Sequence, residues 1–179
     1  MEKLIRIMVV GDGNTGKTCM LFAYKEKKYD DTHPSTVFDT YSMDLDIDGK
    51  PHKMILTDTA GQEEYDKIRV LAYKECNVFV LCYSVDSRTS FNSVLSKWSQ
   101  ELRYFRPKCI IILAATKIDL RQSNQDCVTE AEGLEMQKQI KANDYVECSS
   151  KLMLNVDAVF QKAVIAQIRQ KKKKKCSVL

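Results

Sequence analysis

Apolar residues recur along this chain in two rhythms: short runs of strand length, and stripes spaced three to four residues apart. Leu4 to Val10, Val78 to Tyr83 and Cys109 to Ala115 are largely apolar runs, and Tyr145 to Cys148 is a shorter one. Such runs suit strands covered on both faces. Tyr41, Met43, Leu45 and Ile47 instead alternate with polar residues, meet Asp48-Gly49, and are followed by a second run through Met54 and Leu56. That is the pattern of a hairpin. After Ser87, the residues Phe91, Val94, Leu95, Trp98, Leu102 and Phe105 keep helical spacing, as do Val156, Val159, Phe160, Ala163 and Val164 behind Asn155, a potential cap. Further helices are predicted from Lys17 to Lys27, from the polar stretch Gln62 to Lys67 to a point before Asn77, and from the capping box Thr129-x-x-Glu132 to about Ala142. Tyr29 to Thr40 has no period and reads as an exposed loop. Strands alternating with helices predict an α/β fold, a six-stranded, mostly parallel sheet with helices on both faces. The hairpin supplies its one antiparallel edge strand.

Composition adds a boundary. The 179 residues allow one domain, residues 1–170, with a sizeable core, and no linker or repeat interrupts it. Formal net charge is +4, yet Lys171 to Lys175 contribute +5, so the rest of the chain stands at −1. The body is therefore not a nucleic-acid-binding surface, and residues 171–179 form a tail with its own role. Seven cysteines without C-x-x-C spacing, and the absence of an apolar leader, are expected of a reduced, cytosolic protein. Cys82 and Cys109 lie in apolar runs and read as small core residues. No run is long enough to span a bilayer.

The polar motifs fall where predicted strands end, which is where ligands gather on parallel sheets. Gly11 to Thr18, GDGNTGKT, fits G-x-x-x-x-G-K-[ST] between a strand and a helix. Its glycines let backbone N–H groups turn around a phosphate, the helix points its positive end at the same anion, Lys17 adds a cation and Thr18 a hydroxyl for Mg²⁺. Asp58-Thr59-Ala60-Gly61 also follows a strand; Asp58 can hold Mg²⁺ directly or through water, and Gly61 can offer its N–H to a terminal phosphate. Taken alone, it is also a plain strand-ending turn. Thr116-Lys117-Ile118-Asp119 places a carboxylate that matches the N1–H and exocyclic amine of guanine, a donor pair adenine lacks. Alone, it also suits a helix-capping loop. Cys148-Ser149-Ser150-Lys151 can bring backbone N–H groups to the guanine oxygen and is the weakest of the four motifs.

Together, GDGNTGKTC, Ser35-Thr36-Val37-Phe38-Asp39-Thr40-Tyr41, DTAGQEEYD, TKIDL and ECSS resemble, in order and from Met8 to Lys151, the small GTPases of the Ras superfamily, most closely the Rho/Rac family. The resemblance implies a P-loop small G domain that binds GTP and GDP with Mg²⁺ and hydrolyses GTP. It implies a nucleotide site of Gly13, Asn14, Thr15, Gly16, Lys17, Thr18, Cys19, Tyr29, Thr36, Gly61, Thr116, Lys117, Asp119, Leu120, Ser149, Ser150 and Lys151. Tyr29 would pack beside the base. Thr18, Thr36 and Asp58, the last through water, would serve Mg²⁺, while Lys17 and Gln62 would be catalytic, with Gln62 orienting the attacking water. Residues 30–41 and 60–75 would be the two switches. Expected partners are an exchange factor, an activating protein, a GDP-dissociation inhibitor and effectors reading Thr36 to Tyr41 and switch II, with output to the actin cytoskeleton; the protein itself is expected to be a monomer. No arginine lies between Cys19 and Ser35, so a slow hydrolase awaiting an arginine from a partner is implied. The tail Cys176-Ser177-Val178-Leu179 fits C-a-a-X, with Leu179 favouring geranylgeranyl on Cys176, and Lys171 to Lys175 would add affinity for an anionic leaflet. The expected location is the cytoplasmic face of membranes, the plasma membrane first, in exchange with the cytosol.

The resemblance has departures. The helical insertion common in Rho proteins after TKxD is absent, with only Arg121 to Val128 separating Leu120 from the capping box. Thr57 stands where an aromatic is common, Thr40 where asparagine is, His33 where tyrosine is, and Asn14 and Thr15 replace small and apolar loop residues. A poorly hydrolysing, permanently GTP-bound interaction protein is the alternative, and an ATPase or small-molecule kinase on the same loop is a third reading.

Overall fold

A computed structural model describes residues 4–32 and 38–176. The strands β1 (Ile5–Val10), β2 (Phe38–Ile47), β3 (Lys50–Thr59), β4 (Val78–Ser84), β5 (Ile110–Thr116) and β6 (Asp144–Glu147) form one sheet of order β2-β3-β1-β4-β5-β6. Only β2 and β3 pair antiparallel. Their turn is Asp48-Gly49, both residues at positive φ (55° and 72°), as a two-residue turn matching strand twist requires. The fold class is the one read from the periodicity.

Helices cover both faces. α1 (Lys17–Glu26) and α6 (Val156–Cys176) pack on one side; α2 (Asp66–Tyr73), α3 (Arg88–Ser93), α4 (Ser99–Phe105) and α5 (Glu130–Gln139) lie on the other. Alternation along β1 divides the core accordingly: Ile5, Ile7 and Val9 face α1 and α6, while Met8 and Val10 face the opposite layer. Every residue of β4 and β5 is buried, which is why their sequences show no polar alternation.

The stripe after Ser87 is not one regular helix. α3 passes into a π-turn, Val94–Trp98, closed by Ser99 N–H to the Val94 carbonyl, before α4 begins. The extra residue in that turn shifts the helical phase. Val94, Trp98 and Leu102 stay buried, whereas Leu95 and Phe105, expected in the stripe, are each 42% exposed. The capping box of α5 forms in full, with Thr129 accepting from the Glu132 N–H and Glu132 reaching back to the Thr129 N–H. Asn155 takes φ +56° and donates its side-chain amide to the Glu147 carbonyl at 2.9 Å, tying the end of β6 to the start of α6. α6 then runs without a break through the lysines to Cys176. Between a 3₁₀ turn at Ile118–Gln122 and α5 the chain has no helix, so the Rho-type insertion is absent.

Candidate functional site

Because the sheet is parallel from β3 to β6, the segments leaving β1, β3, β5 and β6 emerge at one edge, and all four motifs meet there. β1 ends at Gly11, whose φ of +138° and closeness to β4 demand glycine: a Cβ there would stand 2.3 Å from the Cys82 carbonyl oxygen. The loop closes on Lys17, which is buried and donates to the carbonyls of Gly11 (2.9 Å) and Asp12 (2.7 Å). Burial pulls this ammonium below its ordinary pKa, against the attraction of Asp58 and Asp12. Gly16, at φ +81°, turns the chain into α1, so the positive end of that ten-residue helix faces the loop.

The segment leaving β3 presses directly on this loop. A Cβ on Gly61 would lie 2.2 Å from the Gly11 oxygen and 2.5 Å from the Gly13 nitrogen. A Cβ on Gly13 would meet nothing within 4 Å. Thr18 donates its hydroxyl to the buried Asp58 carboxylate at 2.7 Å. Among the described residues no group of three or more His, Cys, Asp or Glu could hold a metal by itself. Thr18 and Asp58 are hard oxygen donors that suit Mg²⁺ completed by water and phosphate oxygens. Thr36, expected as a third contributor, lies outside the described residues.

A cavity of about 500 Å³ follows the loop, lined among others by Gly13, Lys17, Thr18, Cys19, Tyr29, Gly61, Gln62 and Lys117. A second, about 260 Å³, is lined by Gly16, Cys19, Tyr29, Thr116, Lys117, Asp119, Leu120, Ser150 and Lys151. They share Gly16, Cys19, Tyr29 and Lys117, and so form one groove with a cationic, N–H-rich end and a second end beside Asp119. Lys117 sits at φ +58° and donates to the Asn14 carbonyl at 2.8 Å, bridging the two halves. Asp119 is fixed by the Ser149 hydroxyl at 2.5 Å. Thr15 and Ser149 are buried behind the wall: the Thr15 carbonyl receives the Thr116 hydroxyl at 2.6 Å. Cys19 is half-buried, and burial raises its thiol pKa. Asp31 also lines the groove, in the aperiodic loop that offers no pattern to single it out.

Two supporting clusters escaped the sequence reading. Trp98, placed by the π-turn, donates its indole N–H to Asp12 at 2.7 Å, and the Arg69 guanidinium lies 4.6 Å from its ring centre. Arg69 also donates to the Ala60 carbonyl at 3.0 Å and pairs with Asp66. On the base side, Arg121 and Glu147 join the segments that carry Asp119 and Ser149.

The sequence profile of the Ras family matches residues 6–170, so the chain belongs to that family. It is 43% identical to the Ras-like GTP-binding protein RhoL of Drosophila melanogaster, over 98% of this chain and 94% of that protein. It is 40% identical to the GTP-binding protein RHO1 of Candida albicans, over 97% and 95%, and 38% identical to the Rho-related protein racC of Entamoeba histolytica, over 98% and 96%. Within the Ras family the chain is a small GTPase of the Rho type, without the insert helix.

Proposed function

We propose that this protein is a Rho-like molecular switch that binds GTP and GDP with Mg²⁺, hydrolyses GTP slowly and signals to effectors at membranes. The observation that carries this reading is the continuous groove joining the Lys17 loop to a carboxylate, Asp119, held in place by Ser149. The loop N–H groups and Lys17 stabilise charge on the β and γ phosphates, and Gln62, exposed at the γ end, orients water in line. Thr18 and, through water, Asp58 would hold Mg²⁺ together with Thr36 as the resemblance implies, and the ion would supply positive charge for the phosphates. Glycine at 61 lets its N–H approach the γ-phosphate, so loss of that phosphate removes one hold on the second switch, residues 60–75. Slow hydrolysis is supported by the groove, which among the described residues has no arginine in its lining; one supplied in trans by an activating protein would accelerate it about 10³- to 10⁵-fold, the range established for the related Ras.

The test is single-turnover hydrolysis of bound GTP with and without a Rho-type activating protein, alongside affinities for GDP and ADP in the wild type and Asp119→Ala. Slow turnover, strong stimulation and guanine preference lost in the variant support the switch. GTP left intact in both reactions overturns it. Membrane attachment through a geranylgeranyl group on Cys176, aided by Lys171 to Lys175, is the second part of the reading. Its support is the C-a-a-X pattern and the adjoining +5 charge. Cys176→Ser should leave nucleotide binding intact and move the protein from membranes to cytosol; a membrane-bound variant would refute it. Exchange factor, dissociation inhibitor and actin-directed effectors belong to this reading as the partners expected of a Rho-type cycle.

A further inference from the structure

Asp119 and Ser149 belong to two segments whose side chains join them in two places, beside the backbone bond from the Ile118 N–H to the Cys148 carbonyl at 3.3 Å. The first tie is the 2.5 Å hydrogen bond between these two side chains. The second lies two residues further out on each segment. Arg121, on the 3₁₀ turn of Asp119, gives two guanidinium N–H groups to the two oxygens of Glu147, which closes β6 two residues before Ser149. The contacts are 2.7 and 2.6 Å, fork to fork. Arg121 Nε also donates to the Val128 carbonyl at 2.9 Å, so the guanidinium is fixed on its far side.

The carboxylate is anchored from the core as well. Tyr145 donates its hydroxyl to Glu147 Oε1 at 2.7 Å, and that hydroxyl lies 3.0 Å from the Tyr83 hydroxyl. Gly133 of α5 leaves room for this pair, since a Cβ would stand 2.1 Å from the Tyr145 oxygen. Burial works against the charge of Glu147, but hydrogen bonds from Arg121 and Tyr145 prevail and hold it below the usual carboxylate range. None of these side chains lines the groove.

We propose that Arg121 and Glu147, braced by Tyr145, are positioning residues for base selection: they fix the angle at which Asp119 meets the base. The proposal rests on the guanine-nucleotide reading above. A carboxylate accepts N1–H and the 2-amino group together only when both its oxygens lie near the plane of the base. The Ser149 hydroxyl and the Ile118 backbone bond hold the inner end of the Asp119 turn, and the Arg121–Glu147 fork holds its outer end, which limits its roll. The phosphate end has separate supports, Lys17 on its loop and Thr18 on Asp58, so loosening the fork acts on the base-dependent part of affinity. A purely structural fork would weaken all nucleotides alike.

Dissociation constants for fluorescent GDP and IDP, measured with Mg²⁺ on the full chain, separate these cases, because hypoxanthine lacks the 2-amino group. Glu147→Gln should cut the preference for GDP over IDP by about five- to tenfold, as expected for loss of one charge-assisted contact. Arg121→Lys, which keeps charge but loses the fork, should fall between it and the wild type. A GDP to IDP ratio unchanged in both variants, whether affinities fall equally or not at all, overturns the positioning role. A wild type that does not itself prefer GDP to IDP overturns the guanine reading instead, a separate result in the same experiment.

Discussion

Arg69 is only 1% exposed, an uncommon place for a guanidinium. Asp66, Glu101, the Tyr73 hydroxyl and the Ala60 carbonyl surround it, and the Trp98 ring lies beneath. Burial and the Glu101 carboxylate push the Tyr73 phenol well above its ordinary pKa, so it stays a neutral donor. Arg69→Ala strands an acidic group and a carbonyl at once and should cost about 3 kcal/mol or more in urea unfolding. Trp98→Phe keeps a ring under the guanidinium but drops the bond to Asp12, so about 1 kcal/mol is expected in the same assay. Such centres could not be read from the sequence. Trp98 and Asp12 are 86 positions apart, and Arg69 and Glu101 are 32 apart. Taken by itself, an arginine in a predicted helix reads as a solvated residue. Gly11 to Thr18 was legible because its geometry is written within one turn of chain. TKID, ambiguous alone with a capping loop, marked a carboxylate at a strand end, and Asp119 lies there beside the groove.

At the scale of elements, α5 tests two local rules against packing. Alanine is the better helix former than glycine by about 1 kcal/mol. At Gly133 that gain is overruled, because the new Cβ would lie 2.4 Å from the Tyr145 ring carbon that bears the hydroxyl. Gly133→Ala should therefore lower stability by about 1 to 3 kcal/mol in thermal or denaturant melts. At the start of α5, Glu132 is held at about 2 by hydrogen bonds first from Arg88 and then from the Thr129 backbone. A carboxylate depressed in the folded state stabilises the fold above its unfolded pKa, near 4.5, and that stability is lost as pH falls through about 2. Glu132→Gln should flatten this acid limb between pH 4.5 and 2, leaving the curve above pH 5 parallel to the wild type's; an unaltered limb would place the acid sensitivity elsewhere. The box itself was legible, since Thr129 and Glu132 stand at fixed spacing. The π-turn was not: Phe91, Val94, Trp98 and Leu102 satisfy either geometry, and only the outward Leu95 and Phe105 reveal the shift.

The whole molecule divides its charge from its core. Apolar contacts of α6 with the sheet extend as far as Ala166 and Ile168, and Gln170 donates its side-chain amide to the Lys108 carbonyl at 3.1 Å. The helix continues through Lys171 to Lys175, but that stretch carries no apolar residue. Alternating strands and helices made the topology legible, whereas a run of lysines has no periodicity to mark it as the extension of a helix. Because that lysine stretch carries no apolar residue, a chain ending at Gln170 should keep its unfolding free energy in urea within about 0.5 kcal/mol of the longer chain and exchange nucleotide at the same rate. Its membrane behaviour should differ sharply. Each lysine near an anionic surface is worth about 1 kcal/mol, so the unlipidated 179-residue chain should bind phosphatidylserine vesicles on the order of 10³-fold more tightly than the shortened chain. Raising salt from about 0.1 to 1 M shrinks the Debye length from about 10 to 3 Å and should erase most of that difference. Sedimentation with vesicles at both salts measures it. Equal binding by the two chains would assign the membrane contact to the body, whose net charge of −1 argues against it.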